Sequence, residues 1–148
     1  MKANELMLGD WVNFLIDVEG GDTEYDPVNE IYQPMQIVSI TAWGNNDGEV
    51  ESEEGVINGI DQVKPIPLTA EILEKNGFKC EEIIQPHWIS EDGRILLRND
   101  ELLINSNNEW SVHIDNEDMQ SIGYFEITYV NEFQHALKLC KIDKIIEP

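Results

Sequence analysis

Residues 65–78 read PIPLTAEILEKNGF, a short helix punctuated at both ends by local chemistry. Pro65 and Pro67 cannot both donate to a central sheet, so a preceding strand ends at this point. Thr69 is placed as the N-cap of a helix beginning at Ala70, and Leu68 and Leu73 have the spacing of a hydrophobic staple. Gly77 suits the left-handed residue that follows a helix, with Phe78 positioned to pack back on Leu73. The stretch therefore reads as a seam that closes an N-terminal part, residues 1–66, and opens a C-terminal part, residues 67–148.

Upstream of the seam, NELMLGDWVNFLIDV sets a Gly-Asp turn before Trp11, Val12, Phe14, Ile16 and Val18, which predicts a strand from about Asp10. Residues 19–30, EGGDTEYDPVNE, have no apolar periodicity and read as a long acidic loop. MQIVSITAW, with Ile37, Ile40 and Trp43, predicts a second strand, NNDGEV a turn, and EVESEEGVINGIDQVKPI two shorter strands around Gly55 and Gly59. Roughly four or five short strands in so small a unit predict a closed β-barrel of the Src-homology-three-like or Tudor-like kind, which would also remove exposed edges.

Downstream, IIQPHWIS, RILLR, ELLINS and EWSVHI are separated by the turn signals EDG, ND and NN and predict an antiparallel meander, with IGYFEI as a further strand. In TYVNEFQHALKLCKI, Val130, Phe133, Leu137 and Cys140 recur at the spacing of one buried helical stripe, with Thr128 as its N-cap. The fold class is α+β: a small barrel, then a helix, a meander and a closing helix.

Charge is the dominant feature of the 148-residue chain, whose 9 Lys and Arg stand against 30 Asp and Glu for a formal net charge of -21. The acids are spread over both parts, fourteen in residues 1–66 against two bases and sixteen in residues 67–148 against seven. Such a surface repels phosphate backbones and anionic membranes, which argues against direct nucleic-acid or membrane binding and for a basic protein partner. The same readings admit a homo-oligomer. No signal-peptide core and no membrane-length apolar run occurs in the sequence, and Cys80 and Cys140 follow no metal spacing, so reduced thiols and a cytoplasmic setting are expected.

Motifs for chemistry are sparse. His87, His113 and His135 form no paired ligand spacing. NNDGEVESEEG alternates oxygen ligands, yet a calcium loop with Gly48 at its sixth place would put Trp43 at the first ligand position. No serine has a Gly-x-Ser-x-Gly setting, and neither cysteine has the neighbours of a nucleophile. The residues therefore call for no catalytic group, no metal and no cofactor. Small barrels often grip peptides with exposed aromatics, and Tyr25, Tyr32 and Trp43 are the candidates for partner binding. Trp11 and Trp43 also read as core, which leaves Tyr25 and Tyr32 as the expected exposed pair.

The stretches NELMLGDWV, VKPIPLTAEILEKNGF and ITYVNEFQHALKL resemble a family of small uncharacterised proteins of Bacteroides-type genomes, often in phage-like or mobile regions. The chain departs from that pattern near its end, where Asn131 stands in place of a common histidine and Phe133 and His135 in place of leucine and asparagine. The resemblance implies an accessory or mobile-element setting and carries over no catalytic residue. The expected function is a non-enzymatic acidic interaction module that binds a basic protein. One alternative is a mimic of DNA that inhibits a nucleic-acid-binding protein, which requires carboxylates in rows about 7 Å apart. Another is a hydrolase or metal-dependent enzyme.

Overall fold

Alternation organises the first strand. In the computed structural model, which describes residues 5–44, 47–82, 85–99 and 109–148, β1 (Trp11–Glu19) buries Val12 and Phe14 completely. The strand follows a turn in which Gly9 takes a positive φ of 86 and the Met7 N–H donates to the buried carboxylate of Asp10 at 2.7 Å. β2 (Asn29–Gly44) pairs antiparallel with β1 through its first half and with β3 (Asp47–Ser52) through its second. Bulges between Ile37 and Ser39 and between Ala42 and Gly44 bend it as it passes from one partner to the other. β4 (Ile57–Gly59) and β5 (Lys64–Pro65) complete a sheet of order β4-β3-β2-β1-β5. Pro65, which lacks an N–H, thus lies on an edge strand, where a missing donor is tolerated. The core of this unit is Leu6, Val12, Phe14, Met35, Ile37, Val50, Ile60 and Val63.

The closed barrel expected from the strand count is not found, because no ladder among the described residues joins β4 to β5. Strands of three and two residues are too short to form one. The sheet instead curls until a side chain bridges it: Asn58 of β4 accepts from the Leu15 N–H at 2.7 Å and donates to the Leu15 carbonyl at 3.1 Å. That bridge falls beside a bulge at Ile16, which the β1–β2 register skips between Leu15 and Asp17.

The chain divides into two compact units, Met1–Ile66 and Pro67–Pro148. In the second, α1 (Ala70–Lys75) is capped at both ends by local bonds. The Ile72 N–H donates to Thr69 Oγ1 at 3.3 Å. At the other end the Gly77 N–H reaches the Glu74 carbonyl at 3.0 Å and the Phe78 N–H the Leu73 carbonyl at 3.0 Å, the two bonds of a Schellman motif. Gly77 has φ +83 with open space where a Cβ would project, so only the backbone resists substitution. Gly77→Val should therefore lower the stability of this unit by about 1–2 kcal/mol, the cost of left-handed backbone for a residue with a Cβ. Thermal melting checks it, and an unchanged midpoint would remove the cap assignment. The mirror case is Lys141, which holds φ 57 after the second helix, so Lys141→Gly should raise the midpoint.

β6 (Lys79–Glu82), β7 (Pro86–Ile89), β8 (Ile95–Asn99), β9 (Trp110–Asp115) and β10 (Ser121–Ile127) form an antiparallel meander in which each strand pairs with the next. The strand read in ELLINS lies outside the described residues, as do Asn45 and Asn46 of the turn read in NNDGEV. The closing helix α2 (Val130–Leu139) buries Val130, Phe133 and Leu137 as its stripe predicts, while Cys140 stands half-buried at the C-cap. Its N-cap is Tyr129 rather than Thr128. Glu132 makes the difference, because its Oε2 accepts from both the Thr128 N–H at 2.7 Å and the Tyr129 N–H at 3.1 Å.

Three long-range ties hold the helices and tail in this unit. Trp110 Nε1 donates to the Leu68 carbonyl at 2.9 Å just ahead of α1. The buried Gln134 donates to the Lys144 carbonyl at 2.8 Å and accepts from the Ile146 N–H at 2.8 Å. Asn76, the C-cap of α1, pairs with both peptide groups of Glu147, donating at 2.7 Å and accepting at 3.0 Å. The tail is thus fixed along both helices, and Ile146 is completely buried.

Candidate interaction surface

Beyond its bulge β1 has no core to face. Ile16 and Val18 are exposed, as is Val28 across the hairpin, and Tyr25 at the loop between β1 and β2 is 92% exposed. Six acids, Asp17, Glu19, Asp22, Glu24, Asp26 and Glu30, punctuate this arm, and residues 16–31 contain no base. All six are exposed. The arm ends at a charged cluster: Lys64 Nζ lies 2.9 Å from Glu30 Oε2 and 4.1 Å from the centroid of the Tyr32 ring. The Tyr32 hydroxyl donates to the same Glu30 oxygen at 2.8 Å. Hydrogen bonds from Lys64 and then Tyr32 hold the Glu30 carboxyl below its usual range, while bonds to Tyr32 and Glu30 raise the Lys64 ammonium.

The three aromatic candidates therefore have different surroundings. Tyr25 stands in solvent, whereas Tyr32, expected to be exposed with it, is half-buried under Lys64. Trp43, read as core, is 62% exposed next to the last residue of β2, because the bulge between Ala42 and Gly44 ends its alternation. Trp11 is half-buried. No hydrogen bond, ion pair or ring contact among the described residues joins Tyr25, Tyr32 and Trp43 to one another.

A second acidic feature lies on β3. Its burial alternates strictly, with Gly48, Val50 and Ser52 inward and Asp47, Glu49 and Glu51 outward, and Glu53 continues the outward series. Two residues of strand advance about 6.6–6.8 Å, so Asp47, Glu49 and Glu51 stand in one row at that pitch, with Glu53 in the turn that follows. The described residues, the β3 row included, contain no group of three or more His, Cys, Asp or Glu side chains arranged to hold a metal ion. Both thiols are pushed above their usual range, Cys80 by desolvation and then by Glu82 and Glu74, Cys140 by burial.

Two arrangements in the second unit bring polar groups together, the first through strand register and the second through alternation along one strand. A cavity of about 370 Å³ opens beside the start of α1, where Trp88 and Trp110 meet edge to face with centroids 5.1 Å apart. Buried Trp88 Nε1 and Asn99 Oδ1 have no hydrogen-bond partner among the described residues. On the opposite face of the sheet, Ser111, His113 and Asp115 alternate along β9, and His113 Nε2 lies 3.2 Å from Asp115 Oδ1. No hydrogen bond joins Ser111 to His113, so the nucleophile-to-base link of a catalytic triad is not formed.

No known protein family, no curated protein and no solved structure matches this chain. Among the described residues, no helix is long and apolar enough to cross a membrane.

Proposed function

We propose that the chain is a non-enzymatic interaction module whose β1–β2 arm binds a basic protein partner. The observation that carries this reading is the composition of the arm's surface: six exposed carboxylates alternate with exposed Ile16, Val18, Tyr25 and Val28. A purely solvating loop has no use for that apolar area, and a purely apolar docking patch has none for that charge. A basic segment with apolar side chains between its charges satisfies both. Tyr25 is the anchor of such a contact, and Trp43 extends it only for a partner long enough to follow β2. A cytoplasmic setting, a mobile-element context and kinship of the curled sheet with Src-homology-three-like or Tudor-like barrels belong to the same proposal, and rest respectively on the reduced thiols and the N-terminal sequence, on the resemblance, and on the bent second strand.

The β3 row favours a second reading, mimicry of DNA, since its pitch approaches the spacing of phosphates along a strand. Two multiple variants separate the readings in pull-downs from lysate at low and high salt. One carries Asp22→Asn, Glu24→Gln and Asp26→Asn with Tyr25→Ala; the other carries Glu49→Gln, Glu51→Gln and Glu53→Gln. The arm reading expects a basic protein that the first variant fails to retain and the second retains, with association slowed by about tenfold or more when the arm is neutralised. Loss by the second variant alone, with displacement by duplex DNA, would replace the arm with the mimic. Retention by both variants would overturn both readings.

A further inference from the structure

The only two arginines of the chain are Arg98, on the outward face of β8, and Arg94, just before that strand begins. That face points away from the buried side chains of the meander. Pairing fixes its layout: Leu96 lies opposite His113, which lies opposite Tyr124, and in the next row Arg98 lies opposite Ser111. Directly opposed side chains on neighbouring strands have Cβ atoms about 4.5–5.5 Å apart, so each row forms one continuous surface. Together these residues line a cavity of about 320 Å³, at the lower end of the size of small-molecule sites.

In a chain with 30 acids, neither arginine makes an ion pair among the described residues. Arg94 is anchored through Nε to the Asp115 carbonyl at 3.0 Å. Arg98 is exposed, with no hydrogen bond or ion pair among the described residues. The described residues directly opposite it carry no carboxylate. Across β7, His87 is held 3.4 Å from Glu81, and across β9 it meets the neutral Ser111. The outward carboxylates of its row, Glu81 and Glu126, each lie two strands away, about 9–10 Å between backbones. At physiological salt the Debye length is about 8 Å, so among the described residues the acids farther off than that cancel little of the field at this guanidinium. The other end of the cavity differs, because the Asp115 carboxylate sits there beside His113.

We infer that this face binds a small organic anion, a carboxylate or phosphate joined to a flat apolar group. The oxyanion takes the Arg98 guanidinium and the Ser111 hydroxyl, a fork and a donor suited to planar or tetrahedral oxygens. The apolar body lies over Leu96 against the ring of Tyr124, which is 61% exposed and free to stack. The polarity is set by Asp115, which repels an oxyanion from the Arg94 end. This site is in the second unit, and the proposal is independent of the arm described above.

Amide chemical-shift titrations test it with four probes: benzoate and phenyl phosphate, which carry both groups, inorganic phosphate, which lacks the ring, and benzyl alcohol, which lacks the charge. Benzoate or phenyl phosphate should give saturable shifts confined to β8, β9 and β10, at least tenfold tighter than either single-group probe. Arg98→Gln should weaken that binding by tenfold or more, Ser111→Ala by less, and Lys138→Gln on α2 should leave it unchanged. Arg98 is exposed on its strand, so its variant retains the fold, which the unshifted amides of the buried face report. Absence of saturable shifts for both two-group probes, or equal binding by wild type and Arg98→Gln, would overturn the proposal. Shifts that follow inorganic phosphate as strongly as phenyl phosphate would also overturn it, since the apolar floor would then contribute nothing.

Discussion

Replacing Phe133 with alanine should lower the stability of the C-terminal unit by about 3–5 kcal/mol, the usual cost of emptying a buried aromatic site. The side chain is completely buried on α2, and its ring lies 5.9 Å from that of Phe78 at a tilt of 55°. Such ring pairs contribute roughly 0.5–1.5 kcal/mol beyond the area they bury. Phe78 is the residue whose N–H closes the Schellman bonds of α1, so the pair joins the end of the first helix to the middle of the second. Phe133→Leu keeps much of the volume and should recover more than half of the loss. Chemical denaturation measures both. A loss below about 1 kcal/mol for the alanine variant would mean that α2 presents another face to the core.

Phe133 also shows what a sequence makes legible. The stripe Val130, Phe133, Leu137 is a local period, and the caps of α1 are bonds between residues at most five apart, so both could be read from spacing alone. The turn signals similarly mark β7 to β10, whereas β6 carries no such signal and is not read as a strand. What else could not be read depends on residues far apart in the chain. Asn58 meets Leu15 across 43 positions, and without that bond in view the short strands suggest a closed barrel. Gln134 and Asn76 hold a tail whose burial no local pattern announces, since isolated amides read as surface. The candidate site divides in the same way. Tyr25 is exposed where an acidic loop suggests it, but Trp43 is turned outward by a bulge, and the Arg98 face exists only once β7, β8 and β9 are in register.

Register is also what the second large effect tests. Phe14→Ala should destabilise the N-terminal unit by about 3–5 kcal/mol, because Phe14 is completely buried in its eight-residue core. At roughly 0.05–0.15 kcal/mol per residue, a unit of residues 1–66 has on the order of 3–10 kcal/mol to lose. The variant should therefore give up a third or more of this unit's stability, and the β1 and β2 amides should lose protection from hydrogen exchange accordingly. Ile16→Ala, two residues along the same strand, should change stability by no more than about 0.5 kcal/mol, since the bulge releases Ile16 into solvent. A plain alternating strand predicts the opposite, with both side chains on one buried face and comparable losses. Equal losses would place the bulge elsewhere, return the arm's apolar residues to the core and remove the surface on which partner binding is proposed. A large loss at Phe14 with none at Ile16 would locate the end of the core between them, where the exposed acidic arm begins.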